Sequence, residues 1–163
     1  MISRILLVCG VVLVFGVVNW QIEANERLRT SGQDVLLQIV PVDPRSLMQG
    51  DYMALNFDVA RQIGAAVHPE ERGYRVAVLA LDEHRVGHFV RFDTGAPLNP
   101  GEVRFRVRLR DSSVWLGTNA FFFQEGDAGR YAGARYGLFR VNEDGRALLV
   151  DLEKQPPTGR APE

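Results

Sequence analysis

The clearest pattern in the chain is a strict alternation of apolar and basic residues between positions 103 and 110. Apolar side chains occupy the odd positions and arginines the even ones: Val103, Phe105, Val107 and Leu109 against Arg104, Arg106, Arg108 and Arg110. A period of two residues is typical of a β-strand with one buried and one solvated face. We therefore predict a strand over residues 102–110, with the four arginines on its solvated face.

Shorter apolar runs, separated by turn residues, predict further strands on both sides of this one. These runs are residues 34–42, 52–57, 74–81, 86–92, 114–117, 121–123, 136–142 and 147–152. Residues 59–67 have helical spacing, and Asp144-Gly145 is a hairpin turn signal. Strands at this spacing predict a mainly β fold, namely a single antiparallel β-rich domain, barrel or sandwich-like, with short helical segments. A transmembrane helix is expected to precede it.

That expectation comes from residues 5–18, which form an apolar run without a charge. As a helix, residues 5–22 would reach about 27 Å, close to a hydrocarbon core of ~30 Å. A run of this length also fits the apolar part of a cleavable signal peptide. No small-x-small cleavage site follows it, and Cys9 lies too early for a lipoprotein site. We interpret the run as an uncleaved anchor, with cleavage as the alternative.

Charges around the run predict its orientation. Arg4 precedes it and Glu23 follows it, which favours a cytoplasmic N-terminus and a domain on the other side. The expected organisation is a cytoplasmic N-terminus (1–4), a transmembrane signal anchor (5–22), a stalk helix (23–32), an extracytoplasmic β-rich domain (33–154) and a disordered tail (155–163). The protein is thus expected in the inner (cytoplasmic) membrane as a single-pass protein, its C-terminal domain periplasmic or extracellular.

Composition limits the chemistry that we expect. A net charge of −1 with 46% hydrophobic residues gives no electrostatic sign of nucleic-acid binding. Cys9 is the only cysteine, so we expect no disulfide. His84 and His88 are four residues apart, which on a strand is too far for one metal ion. We therefore expect no metal and no cofactor.

One stretch near the start of the domain has a recognisable motif. It consists of Gly50, Asp51, Tyr52, Leu55 and Phe57. This spacing resembles the motif of the GDYXXLXY family, with Phe57 where the family's last tyrosine stands. Residues 43–47 resemble the run that the family carries upstream of the motif. The resemblance implies a membrane-anchored protein, and it implies no particular biochemical activity.

A second stretch extends the resemblance. The three phenylalanines 121–123 are followed by Gln124, Glu125 and Gly126, which resembles the family's later aromatic segment with Gln124 in place of the more usual proline. In all, the resemblance runs from the N-terminal apolar segment to about Leu152. Three phenylalanines in a row cannot all lie on one face of a strand, so we expect Phe122 or a neighbour to point away from the core.

Two function classes follow. The first is a single-pass, membrane-anchored extracytoplasmic accessory or binding subunit of a larger membrane protein assembly, without catalysis of its own. Its partners would be one or more integral membrane proteins, and its helix would contact the lipid bilayer. The predicted contacts are Arg104, Arg106, Arg108, Arg110 and Phe122. The arginines would meet lipid headgroups, an acidic partner or an anionic polymer, or else simply form a solvated strand face.

The second class is a membrane-anchored hydrolase. Ser46 and the following Gly50-Asp51 are similar to the serine region of signal peptidases, which use a Ser-Lys dyad. The only lysine is Lys154, after the last predicted strand, so this dyad cannot be built from core elements. Whether Ser46, Asp51 and Glu125 share a site depends on the fold. We prefer the first class.

Overall fold

The computed structural model describes residues 2–40, 48, 49, 52–68, 70–110, 113–118, 120–124 and 126–156, with the side chains of all but residues 2–9, 48, 49 and 128. Its elements in chain order are α1 (Ile2–Ser31), β1 (Gln33–Gln38), β2 (Met48–Gln49), β3 (Tyr52–Ala54), α2 (Asp58–Ala65), β4 (Gly73–Leu81), β5 (Gly87–Phe92), β6 (Glu102–Arg110), β7 (Ser113–Trp115), β8 (Ala120–Phe122), α3 (Ala128–Tyr131), β9 (Tyr136–Val141) and β10 (Ala147–Glu153).

The described strands form three antiparallel sheets. Their strand orders are β1-β9-β10, β2-β3-β8 and β5-β4-β6-β7. Two isolated bridges connect them, Leu36 with Val86 and Ile39 with Phe57. The predicted mainly antiparallel β domain with short helices is thereby confirmed, although no single hydrogen-bonded ladder joins all the strands described. The predicted disordered tail falls mostly on residues 157–163, which are outside the described residues.

Strand β6 has the bounds that its alternation predicts, Glu102–Arg110. Val103, Phe105, Val107 and Leu109 are all buried, and their neighbours on the other face are more exposed. Because apolar side chains at every second position turn to the same side, the sequence pattern alone was enough to orient this strand. Strand β6 lies in the middle of its sheet, between β4 and β7.

Three phenylalanines from different parts of the chain meet in the core. The ring of Phe139 in β9 lies edge-on to Phe57 at 5.4 Å and to Phe105 of β6 at 5.5 Å between centroids. All three are buried. Gly137 makes the approach of Phe57 possible, because a Cβ at that position would lie 2.8 Å from Phe57 Cε1. This aromatic cluster therefore packs the β6 sheet against the β9 sheet and the segment that follows β3.

Helix α2 confirms the helical spacing predicted for residues 59–67. Val59 and Ile63, one turn apart, are its buried side chains. Gln62 on the same helix receives a hydrogen bond from the backbone N–H of Phe89 at 3.0 Å and donates one to Asp58 at 2.7 Å. The helix is thus fixed to β5 by a side-chain hydrogen bond as well as by burial.

Helix α1 is continuous from Ile2 to Ser31, so the predicted anchor (5–22) and stalk (23–32) form one helix. Its last turns dock on the domain: Leu28 is buried, and Arg146 donates a hydrogen bond to Asn25 Oδ1 at 2.7 Å. Arg140 donates to the carbonyl of Gly32 at 3.0 Å. Its Nε also lies 3.0 Å from Asp34 Oδ1, in an ion pair without hydrogen-bond geometry. We call these contacts the helix joint.

Before the helix joint, large apolar side chains of α1 are exposed, among them Val12, Leu13, Phe15 and Trp20. Within the part of the chain whose side chains are described, no helix combines the length and the hydropathy of a membrane span. The predicted transmembrane helix is therefore not found there.

A loop after β5 is held on the solvated face of β4 and β6 by charged groups. Arg104 Nε donates to Asp93 at 2.8 Å, and Arg91 donates to Glu102 at 3.1 Å. The Arg104 guanidinium, with the backbone N–H of Gly95, lowers the pKa of Asp93. The backbone N–H of Asn99 lowers the pKa of Glu102, with a contribution from Arg91. Both carboxylates are therefore stabilised in the charged form.

We predict that Gly137→Ala destabilises the domain. The added Cβ would overlap Phe57 at the aromatic cluster, and overpacking of this kind costs about 1–3 kcal/mol. Gly64→Ala is the matched control, because Gly64 lies in α2 and its Cβ would meet only Val114 at 3.8 Å. There, greater helix propensity should stabilise the protein by up to ~1 kcal/mol. Urea unfolding measures both variants, and equal stabilities would contradict the packing role of Gly137.

We also predict that acid weakens the domain through Asp93 and Glu102. Their folded pKa values lie below the unfolded ones of ~3.9 and ~4.3, so their contribution is complete above about pH 5. It is lost as the pH falls through the lowered folded values. Asp93→Asn should make the urea midpoint less dependent on pH between neutral and acid conditions. Asp144→Asn, which removes the same charge from an exposed turn, is the matched control, and an equal effect of both substitutions would contradict the assignment.

Candidate functional site

The two motif-like stretches of the sequence lie side by side in the sheet β2-β3-β8. Strand β3 pairs with β8 in the register Tyr52 with Phe122, Met53 with Phe121 and Ala54 with Ala120. About 70 residues separate the two stretches along the chain, so only strand pairing brings them together. This sheet, which we call the motif sheet, is the candidate functional site.

On the outer side of the motif sheet, Tyr52 and Phe122 form a cross-strand aromatic pair. Their ring centroids are 5.8 Å apart, and Phe122 is 75% exposed. Phe121 and Phe123 instead pack against Tyr131 of α3, at 5.0 and 5.6 Å. One of the three consecutive rings therefore points away from the core, as strand geometry led us to expect.

The other described residues of the first motif are part of the hydrophobic core. Leu55 and Phe57 are buried in the core, and Phe57 belongs to the aromatic cluster with Phe139. The backbone of Phe57 also forms the isolated bridge with Ile39. The motif thus combines core residues that fix the segment with Tyr52, which pairs with the exposed Phe122.

Several predicted site residues are outside the described residues, namely Ser46, Gly50, Asp51 and Glu125. Gly126 is described, and its φ of +96° lies in the left-handed region that favours glycine. It belongs to a turn in which the N–H of Asp127 donates to the carbonyl of Gln124 at 3.0 Å. The glycine of the second motif therefore has a backbone reason for its identity.

A groove runs beside the exposed aromatic pair. Its volume is about 340 Å³, within the range of ligand sites in proteins. The lining comes from the segment before β8, from β8 itself and from the start of β10: Leu116, Gly117, Thr118, Ala120, Phe121, Phe122, Ala147, Leu148 and Leu149. The hydroxyl of Thr118 donates to the carbonyl of Ala120 at 2.7 Å and accepts from its N–H at 3.2 Å, which satisfies this end of β8. No local pattern in the sequence indicates this groove, because its walls come from separate segments of the chain.

The four predicted arginine contacts are not equivalent in the structure. Arg104 is engaged with Asp93 and with the carbonyl of Ala96, so part of its charge is compensated within the domain. Arg106, Arg108 and Arg110 are exposed on the outer face of β6. Alternation along the strand could not distinguish them, since the acidic residue that pairs with Arg104 comes from a loop.

The described residues hold no group of three or more His, Cys, Asp or Glu side chains placed to bind a metal ion. His88 Nε2 lies 3.6 Å from Asp82 Oδ2, and Asp82 also accepts the backbone N–H groups of His84 and Val86 at 2.8 Å. These contacts belong to the β4–β5 hairpin turn. Lys154 is exposed after β10, whereas a lysine that activates a serine must be kept unprotonated by burial.

Comparison with known proteins assigns the chain to a family through a family model. No curated protein matches it, and no solved structure does. The family model described as GDYXXLXY protein matches residues 14–152, which include both stretches of the motif sheet. The protein therefore belongs to the GDYXXLXY family.

Proposed function

We propose that this protein is a single-pass, membrane-anchored binding subunit that works through an integral membrane protein partner and has no catalysis of its own. The proposed location is the inner membrane, with the β domain periplasmic or extracellular. The observation that carries the proposal is the pairing of Tyr52 with the exposed Phe122 where the two family stretches meet.

The amino-acid sequence supports the anchor. Residues 5–18 have no charge, and α1 includes them all. Side chains such as Val12 and Phe15 have no cover from the domain, and a membrane would bury them. Arg4 on one side and Glu23 on the other favour a cytoplasmic N-terminus.

The helix joint supports a partner in the same membrane. Leu28, with the hydrogen bonds of Arg146 and Arg140, attaches the last turns of α1 to β9 and β10. Because the helix is continuous up to the joint, it contains no flexible linker over which the domain could swing. A domain attached in this way would remain close to the membrane and meet proteins that are confined there as well.

The motif sheet supports binding rather than catalysis. The three-quarters exposed ring of Phe122 continues into a groove lined mostly by apolar residues, and a contiguous apolar surface favours contact with another protein. Aromatic residues are also enriched among the residues that contribute most to binding at interfaces. The hydrolase alternative is disfavoured, because the only lysine of the chain, Lys154, is exposed after β10 and is not part of the core.

For the anchor, we predict that the full chain stays membrane-bound after an alkaline carbonate wash and keeps its unprocessed mass. Leu13→Asp with Val17→Asp should release it, because a carboxylate near the centre of a membrane helix costs about 2.5–3.5 kcal/mol. Glu23→Gln with Glu26→Gln, also on α1, should stay bound and serves as the control. A wild-type chain that washes off, or that begins near Asn25, would contradict the anchor.

For the contact, we predict that Phe122→Ser reduces co-purification of membrane partners in mild detergent and leaves thermal unfolding nearly unchanged. The exposed ring contributes little to the free energy of folding, whereas an aromatic residue at the centre of an interface contributes about 2 kcal/mol or more to the free energy of binding. Val90→Ser is the control, since Val90 is an exposed apolar side chain on β5. If Phe122→Ser leaves co-purification intact, or the wild-type protein purifies as a monomer without partners, this contact is wrong.

A further inference from the structure

A second exposed surface lies on the outer face of the sheet β5-β4-β6-β7. The register of the strands aligns Tyr74 of β4 with Arg108 of β6, and Arg108 with Trp115 of β7. Tyr74 is 71% exposed and Trp115 is 42% exposed. Arg106, two residues before Arg108, lies on the same face of β6. We call Tyr74, Arg106, Arg108 and Trp115 the arginine–aromatic row.

The two arginines of this row differ from other arginines of the domain, which form ion pairs with carboxylates. Arg104 pairs with Asp93, Arg91 with Glu102 and Arg140 with Asp34. Among the residues that the structure describes, neither Arg106 nor Arg108 has a carboxylate within ion-pair distance. The guanidinium of Arg108 lies over the ring of Tyr74 at 5.5 Å instead, and such a contact orients the group without neutralising it.

The row combines three features that suit a carboxylate-bearing protein segment. Side chains two residues apart on a strand are about 6.8 Å apart, so Arg106 and Arg108 present neighbouring guanidinium groups on one face. A guanidinium binds a carboxylate through two parallel hydrogen bonds. Tyrosine, tryptophan and arginine are the residues that contribute most to protein–protein binding. Nucleic acid also binds arginines and aromatic rings on sheets, but it calls for a basic domain, and this chain has a net charge of −1.

The position of the row relative to helix α1 can be read from the start of β6. The start of β6 lies next to the helix joint, because Glu102, Val103 and Arg104 line a cavity of about 540 Å³ together with Ser31 and Gln33. Arg108 follows Val103 by five residues, or roughly 17 Å of strand. Arg108, with Tyr74 and Trp115 aligned to it, is therefore displaced from the end of α1. Arg106 lies closer, because its backbone N–H donates to the carbonyl of Gly145, next to Arg146 of the helix joint.

We propose that the arginine–aromatic row binds an acidic segment of a partner polypeptide, at a surface separate from the motif sheet. Carboxylates would pair with Arg106 and Arg108, and the rings of Tyr74 and Trp115 would cover the aliphatic parts of the segment. The proposal depends on neither the anchor nor the Phe122 contact, so it can fail or succeed independently of them.

The test uses the full chain in mild detergent with Trp20→Phe, which leaves Trp115 as the only tryptophan. Short poly-L-glutamate is the probe, and Trp115 emission reports binding at the row itself. We expect saturable binding that weakens as salt rises. Arg106→Gln with Arg108→Gln should weaken it at least tenfold, and Arg29→Gln with Arg61→Gln, which removes the same charge elsewhere, should change it less than twofold.

Two further measurements keep the result unambiguous. If the variant Arg106→Gln with Arg108→Gln unfolds, Arg106→Lys with Arg108→Lys is measured instead. Binding should still weaken, because lysine lacks the planar guanidinium group. Vesicles of phosphatidylglycerol are the competing ligand. The proposal is overturned if poly-L-glutamate leaves Trp115 emission unchanged, if both charge-matched pairs weaken binding equally, or if the vesicles bind through Arg106 and Arg108 more tightly than the peptide.

Discussion

The contact between Phe57, Phe105 and Phe139 is the constraint on which the rest of the structure depends. These rings come from the first family motif, from β6 and from β9, and they meet edge to face at 5.4 and 5.5 Å. Gly137 leaves the space that Phe57 needs. The cluster joins a central strand of one sheet to the central strand of another. Since Phe57 follows β3 in the chain, the cluster also fixes the position of β3 relative to the core. The position of Tyr52 and its partner Phe122 follows from this packing.

Charge has two different roles on the surface of the domain. Asp93, Glu102 and Asp34 each pair with an arginine and fasten a loop or the helix joint. Arg106 and Arg108 remain exposed, and Arg108 lies over the ring of Tyr74. A chain with a net charge of −1 can therefore still present a local positive face. Net charge alone does not reveal such a division.

The motif of the family divides in a similar way. Leu55 and Phe57 are core residues, whereas Tyr52 reaches the outer pair with Phe122. Leu55 and Phe57 position the segment, and Tyr52 belongs to the contact area that we propose for a partner.

The sequence by itself determined the elements and their faces, since these depend on local periodicity. The alternation over β6, the helical spacing of α2 and the Asp144-Gly145 turn all predicted structure that the fold contains. Tertiary structure alone decided which elements that are not joined by a hairpin turn became neighbours. The pairing of Tyr52 with Phe122 and the alignment of Arg108 with Tyr74 join residues distant in the chain. The neutralisation of Arg104 by Asp93 joins a strand to a loop whose conformation local periodicity does not specify. Such contacts depend on strand order and core packing, which a period of two or of 3.6 residues does not specify.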